Sequence, residues 1–195
     1  MTIDLDKITA DVAIILGEPL LPDCEPEEGP YPSLSERVRL SAPSVLGKIM
    51  ESAPKGALSG WKSMKGCLIE ADISGRGTLI LPDDFLMLGS LRLTGWKRPV
   101  EELSSLQGSA GDKLSSAWKG ISGSYERPFA FLSPGGGKPS LVLSPSDDGS
   151  VIEDGWYMPR PAFDSSGEIF IPDRLYLPFL KSMAALIVKS DFKEL

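Results

Sequence analysis

The side chains of this sequence best suited to chemistry are three carboxylate pairs, Asp83 with Asp84, Asp147 with Asp148, and Glu153 with Asp154. Adjacent carboxylates can hold a cation or share a proton between them. A hard-cation loop, however, draws further oxygen ligands at short intervals, and no acidic residue follows Asp84 at such a spacing. The other two pairs adjoin Gly149 and Gly155 in turn-like runs, where solvated turn residues are the ordinary reading. Histidine is absent from all 195 residues. That removes Ser-His and Cys-His nucleophile activation, the usual proton shuttle near neutral pH and the commonest metal ligand. Cys24 and Cys67, 43 positions apart, form no closely spaced metal motif and read as two free thiols. Ser133-Pro-Gly-Gly-Gly-Lys138 lacks the spacing of a phosphate-binding loop, and Pro139 works against a following helix. The expectation is a protein that is not an enzyme, with no catalytic, cofactor-binding or metal-binding residues.

Two stretches combine aromatic rings with arginine: Trp96-Lys-Arg98-Pro99 and Tyr125-Glu-Arg127-Pro128. In extended chain, residues two apart share a face, so ring and guanidinium can pack together as a structural clasp. Aromatic residues and arginine are also enriched at protein interfaces, which makes Trp96, Arg98, Tyr125 and Arg127 candidate partner contacts.

These residues need a scaffold, and composition allows a substantial one: 42% of residues are hydrophobic. Charge is distributed unevenly. Residues 1–32 hold eight acidic residues and one lysine, while the remaining chain carries nineteen of each sign. Without a basic block, sequence-specific nucleic-acid binding is not expected. No apolar run approaches the ~18 residues of a membrane span, and the N-terminus lacks a signal-peptide pattern, so synthesis in the cytoplasm is expected.

Along the chain, Ile3, Leu5, Ile8, Val12, Ile15 and Leu16 mark one face of a short helix that Asp4 or Asp6 can stabilise and Gly17 can end. Pro19, Pro22, Pro26, Pro30 and Pro32, interleaved with acidic residues, make the next segment a linker or arm. Ser33 and Glu36 have capping-box spacing ahead of a helical stripe through Leu34, Val38, Ala42, Val45, Leu46 and Ile49; Pro43 predicts a kink or a junction of two helices there. From Trp61 the pattern becomes strand-rich. It predicts hairpins over 67–81 and 129–143, a helical turn capped by Asp83 and carrying Phe85, Leu86 and Leu88, strands at 90–94, 151–158 and 169–171, and a short helix near 113–119. A final helix, with Asp173 as its candidate N-cap, turns Leu175, Tyr176, Phe179, Leu180, Met183, Leu186 and Ile187 to one side. The fold class is therefore α+β: N-terminal helices, a strand-rich middle of short antiparallel hairpins, and a C-terminal amphipathic helix. Its expected divisions are 1–32, an acidic helix and Pro-rich arm, and 33–195, one domain with helices over 33–53, strands over 61–171 and a helix over 173–189.

Gly77-Thr-Leu-Ile-Leu-Pro-Asp83 is echoed by Gly167-Glu-Ile-Phe-Ile-Pro-Asp173, and the whole of Gly77 to Val100 organises the pattern. Leu81-Pro-Asp-Asp-Phe-Leu-Met-Leu-Gly-Ser-Leu-Arg-Leu-Thr-Gly-Trp-Lys-Arg-Pro-Val100, with the N-terminal helices before it and the Ile171-Pro-Asp-Arg-Leu175 helix at the end, resembles the head-to-tail adaptor (connector, or neck) proteins of tailed bacteriophages and prophages. The resemblance implies a virion structural protein made in the host cytoplasm, a homo-oligomeric ring that meets portal and tail proteins, encloses DNA only in passage and touches no membrane. Such adaptors are mostly helical bundles, from which the strand-rich middle departs. The alternative is a cytoplasmic or surface module that binds protein or sugar through exposed Trp61, Trp96, Trp118 or Trp156.

Overall fold

The computed structural model describes residues 1–17, 32–71, 75–103, 123–133 and 138–191. It is an α+β fold. The chain divides into two compact units, Met1–Gly60 with Arg160–Leu195, and Trp61–Pro159. The arm expected after Gly17, the helix expected near 113–119, Cys24 and Trp118 lie outside the described residues.

The first unit is built on three helices, α1 (Leu5–Leu16), α2 (Leu34–Ser52) and α3 (Tyr176–Asp191), which pack against one another. A two-stranded antiparallel ribbon accompanies them, pairing β1 (Thr2–Asp4) with β9 (Glu168–Phe170). Ile3 therefore belongs to this strand and not to the helix, buried opposite Ile169. Asp4 ends the strand and caps α1, its carboxylate accepting from the Lys7 amide at 2.6 Å. Gly17 closes α1 at φ 74°, the left-handed conformation that a C-terminal cap requires and glycine adopts without strain.

In α2 the capping box forms as the spacing predicts: Ser33 Oγ accepts from the Glu36 amide, and Glu36 accepts from the Ser33 amide. Pro43 does not divide the element, which runs from Leu34 to Ser52 as one helix. An internal proline costs about 3 kcal/mol. Here Ala42 and Leu46, on either side of Pro43, are wholly buried, and the packing of that stripe holds the helix across the missing amide. Val38, Met50, Phe179, Met183 and Ile187 complete the shared core with Ile8 and Val12.

The approach to α3 also differs from expectation. Asp173 does not cap the helix; a single 3-10 turn, Asp173–Leu175, leads into it, and the Asp173 carboxylate accepts from the Met1 ammonium at 2.8 Å. Leu186 and Ile15, at the edges of their apolar stripes, stay exposed. Between α1 and α3, the Tyr176 hydroxyl donates to Asp11, which also pairs with Lys7 at 3.5 Å. Burial, followed by the hydrogen bond to Asp11 and its charge, pushes the Tyr176 phenol far above its ordinary range.

The second unit consists of two antiparallel sheets around one apolar core. One is four-stranded in the order β3 (Ile69–Ala71), β4 (Gly77–Ile80), β7 (Ser140–Ser144), β6 (Phe129–Ser133), so both expected hairpins are present. The other has β8 (Ile152–Pro159) between β2 (Lys62–Ser63) and β5 (Phe85–Leu93). Leu79, Leu141 and Leu143 from the first sheet join Met64, Leu88, Leu91 and Tyr157 from the second.

β5 corrects the helical turn expected after Asp83. Phe85 to Leu88 are strand, continuous with the strand expected from Ser90, and the pairing with β8 shifts register between Phe85 and Met87 and again between Leu88 and Ser90. Each such bulge resets the alternation of faces, so Phe85, Leu88 and Leu91 all point inward at intervals of three. The turn before it is closed by the Phe85 amide donating to the Pro82 carbonyl at 3.0 Å, while Asp83 itself is exposed.

The two Gly-to-Asp echoes are likewise not structural repeats. Pro82-Asp83 leads into a strand and Pro172-Asp173 into a helix. Gly167 serves by its φ of 80° with open space around it. Gly77 serves by close approach, since a Cβ there would lie 2.5 Å from Ser146 Oγ and 2.9 Å from Ile69 Cγ2. Gly77→Ala should therefore destabilise the protein by about 1–3 kcal/mol, as overpacking does, lowering the urea midpoint with an unchanged slope.

Candidate functional site

The residues singled out for chemistry converge on the second unit, where the two aromatic-x-Arg-Pro motifs meet each other. After Leu93 the chain turns through Gly95 at φ 84°, with the Trp96 amide donating to the Leu93 carbonyl at 3.0 Å. A Cβ on Gly95 would come within 3.1 Å of the Tyr125 ring. The Lys97 amide donates to the Tyr125 carbonyl at 2.7 Å, joining the motifs through their backbones. Leu91 and Val100 then exchange amide-to-carbonyl bonds of 2.8 Å in each direction, so the Arg-Pro exit folds back onto β5.

The clasp expected within each motif is not what forms. The Trp96 ring is buried, and its indole N–H donates to the Pro145 carbonyl at 2.8 Å. Burial suits an indole only where its N–H finds an acceptor, and Pro145 supplies it. The Tyr125 hydroxyl donates to Asp147, whose own amide donates to Ser150 Oγ at 2.9 Å. That bond to Asp147, ahead of burial, raises the Tyr125 phenol. Arg98 and Arg127 both lie exposed beside these anchored rings. Of the four expected contact residues, Arg98, Arg127 and Tyr125 are thus at the surface, and Trp96 is an internal strut.

Asp84, Asp147, Glu153 and Asp154 are engaged by neighbouring groups, whereas Asp83 and Asp148 are exposed. Asp84 accepts from Lys62 Nζ at 2.7 Å and from the Tyr157 hydroxyl at 2.9 Å, linking the start of β5 to β2 and β8. Burial pushes its carboxyl upward, but the hydrogen bonds from Lys62 and Tyr157 and the lysine charge outweigh it and hold Asp84 below its ordinary value. Glu153 pairs with Arg92 at 3.2 Å, and Asp154 accepts from the Trp156 indole at 2.8 Å. Among the described residues no group of three or more Cys, Asp or Glu is placed to hold a metal ion. Burial raises the Cys67 thiol, which favours its protonated form. No helix among the described residues is long and apolar enough to cross a membrane.

Sequence reasoning missed the Lys62–Asp84–Tyr157 cluster, because its members are 22 and 73 positions apart. The available signal was Asp84 itself, placed after a strand-ending proline. Exposure of the tryptophans also departs from expectation: Trp96 is buried and Trp61 partly so, leaving Trp156 as the exposed one among the three described. No family model matches the chain, and no curated protein matches it.

The cluster gives a defined pH response. Burial, then the hydrogen bond and charge of Asp84, push the Tyr157 phenol up to about 12 from its ordinary 10.0. A raised phenol stabilises the fold below the ordinary value and loses that contribution as pH climbs through the folded one. The Asp84 contribution runs the other way, present above the ordinary carboxylate value of 3.8 and lost as pH falls below it. An ultraviolet phenolate titration should show a late-titrating group that Tyr157→Phe removes and Asp84→Asn shifts toward the ordinary range.

Proposed function

We propose that this chain is a non-enzymatic virion structural protein, a head-to-tail adaptor subunit that assembles into a ring between portal and tail. The observation that carries the reading is the resemblance to that family, densest over Gly77 to Val100 and looser over Ser33 to Val188. The use of that stretch supports it. Its glycines, proline and aspartates build a strand, a tight turn, a second strand and a folded-back exit, and its one tethered carboxylate, Asp84, is engaged by Lys62 and Tyr157.

Surface composition supports a role among neighbouring copies. Ile14 is 64% exposed on α1, Leu40 78% on α2 and Leu177 55% on α3, apolar side chains that an adjacent subunit can cover. The acidic segment, with all of the net charge of −7 in residues 1–32, repels DNA and so suits a channel lining or a docking arm better than a clamp on nucleic acid. A second reading, an interaction module that works through exposed aromatics, draws on Trp156.

The test is assembly. The purified chain, mixed with portal protein encoded in the same genome, is expected to give rings by negative-stain microscopy and a portal-bound fraction by light scattering. A protein that stays monomeric and joins neither portal nor tail parts overturns the adaptor reading.

A further inference from the structure

We propose that Asp148-Gly149, in the turn between β7 and β8, is a site of covalent self-modification, where aspartate isomerises to isoaspartate and thereby releases the neighbouring Asp147 from Tyr125. The proposal is independent of the adaptor reading.

The sequence holds two Asp-Gly pairs, Asp148-Gly149 and Asp154-Gly155, and no asparagine. Glycine after aspartate favours this reaction, because it puts no side chain in the way of its own amide nitrogen. The chemistry needs water and nothing else. The Gly149 nitrogen bonds to Cγ of the Asp148 carboxyl, whose hydroxyl leaves with the amide proton as water, and a five-membered succinimide closes. Water then adds at the carbonyl attached to Cα and breaks its bond to that nitrogen. The main chain now runs through Cγ and is longer by a carbon, while the former backbone carbonyl carbon becomes a free carboxylate.

The structure separates the two pairs. The turn is closed by its outer residues: the Ser150 amide donates to the Asp147 carbonyl at 3.0 Å, and the Asp147 amide donates to Ser150 Oγ at 2.9 Å. Its middle is unrestrained. Asp148 and Gly149 are exposed, Gly149 has a φ of 89° with open space where a Cβ would lie, and among the described residues no hydrogen bond or ion pair engages the Asp148 carboxylate or the Gly149 amide. The peptide between them is free to swing its nitrogen onto Cγ.

At the other pair the backbone is held. Gly155 is buried in β8 opposite Leu91 of β5, its carbonyl accepts from the Met64 amide at 2.9 Å, and a Cβ there would meet Ile152, Leu91 and Met64 within 3.2 Å. Asp154 Oδ1 already accepts from the Trp156 indole. A succinimide cannot close there without breaking the strand pairing. Asp164-Ser165 is restrained differently: Asp164 Oδ1 accepts from the Ser166 amide and hydroxyl and from the Glu168 amide, at 2.9, 2.7 and 2.9 Å.

The consequence follows from what flanks the turn. The Ser146 amide donates to the Gly75 carbonyl at 3.0 Å, and the Val151 carbonyl accepts from the Thr94 amide at 3.0 Å. An extra backbone carbon between these anchors has to be taken up within 147–150, which moves Asp147 away from the Tyr125 hydroxyl it holds. Tyr125 accepts from the Lys97 amide through its carbonyl, so the change reaches the surface formed by the two aromatic-x-Arg-Pro motifs.

The test holds the full chain in neutral buffer at physiological temperature for several weeks. Isoaspartyl carboxyls are labelled by an isoaspartate-specific methyltransferase with radioactive S-adenosylmethionine and located by peptide mapping. Label is expected to accumulate in the peptide containing 148 and 149 and to stay near background at 154 and 155. Asp148→Glu, which would have to close a six-membered ring, should remove most of the label, and Asp154→Glu should leave it unchanged. In concentrated urea both Asp-Gly pairs should take label, since the fold no longer protects the second. Far-ultraviolet circular dichroism confirms that each variant is folded. No label at 148 in the folded chain, equal label at both pairs, or label that Asp148→Glu leaves unchanged overturns the proposal. In an ultraviolet titration the modified protein should show the Tyr125 phenol lowered toward its ordinary range, as Asp147→Asn does in fresh protein; an unchanged Tyr125 overturns the release of Asp147.

Discussion

Antiparallel pairing between β5 and β8 is the constraint on which the second unit depends. β8 is the middle strand of its sheet and the strand with which β2 pairs, and the position of Trp156, Asp154 and Tyr157 follows from the β8 register. β5 in turn supplies Phe85, Leu88, Leu91 and Leu93 to the core and provides, at Leu91, the backbone bonds that bring Val100 home. The two bulges at the start of β5 are what allow three apolar residues spaced by three to face the same way in a strand. Asp84 ties the arrangement together at its open end, where Lys62 and Tyr157 reach it from the other two strands.

That same device explains what was legible in the sequence and what was not. Capping chemistry is local, so Ser33 with Glu36, and the stop at Gly17, could be read directly from the sequence, whereas pattern alone left Asp4 and Asp6 as alternatives for the start of α1. Both hairpins and β8 follow from alternation and turn residues. Phe85, Leu88 and Leu91 instead carry a helical spacing inside a strand, because bulges belong to the pairing of two strands and leave little trace in one. β1 escaped for a related reason: three residues give too short a period to separate Ile3 from the helical stripe that follows it.

At the candidate site, residue types were more legible than roles. Trp96 and Tyr125 were identifiable as important, but an indole that meets Pro145 and a phenol that meets Asp147 are contacts 49 and 22 positions away, beyond any local pattern. Likewise the letters Gly, Pro and Asp recur at 77–83 and 167–173 while the physics differs, close approach in one case and a left-handed turn in the other. Such residues answer to several constraints, and sequence identity does not say which one applies. The outward tryptophan could be separated from the buried one only once the β8 register was known.

Amide hydrogen exchange under native conditions addresses the central claim most directly, because protection reports which pairings hold the unit closed. If β5–β8 pairing is the organising interaction, the amides of Leu91 and Val100 exchange only with global unfolding of the second unit, more slowly than those of the β3–β4 hairpin. Exchange of Leu91 and Val100 as fast as that hairpin, with β6–β7 protected longest, would contradict the account.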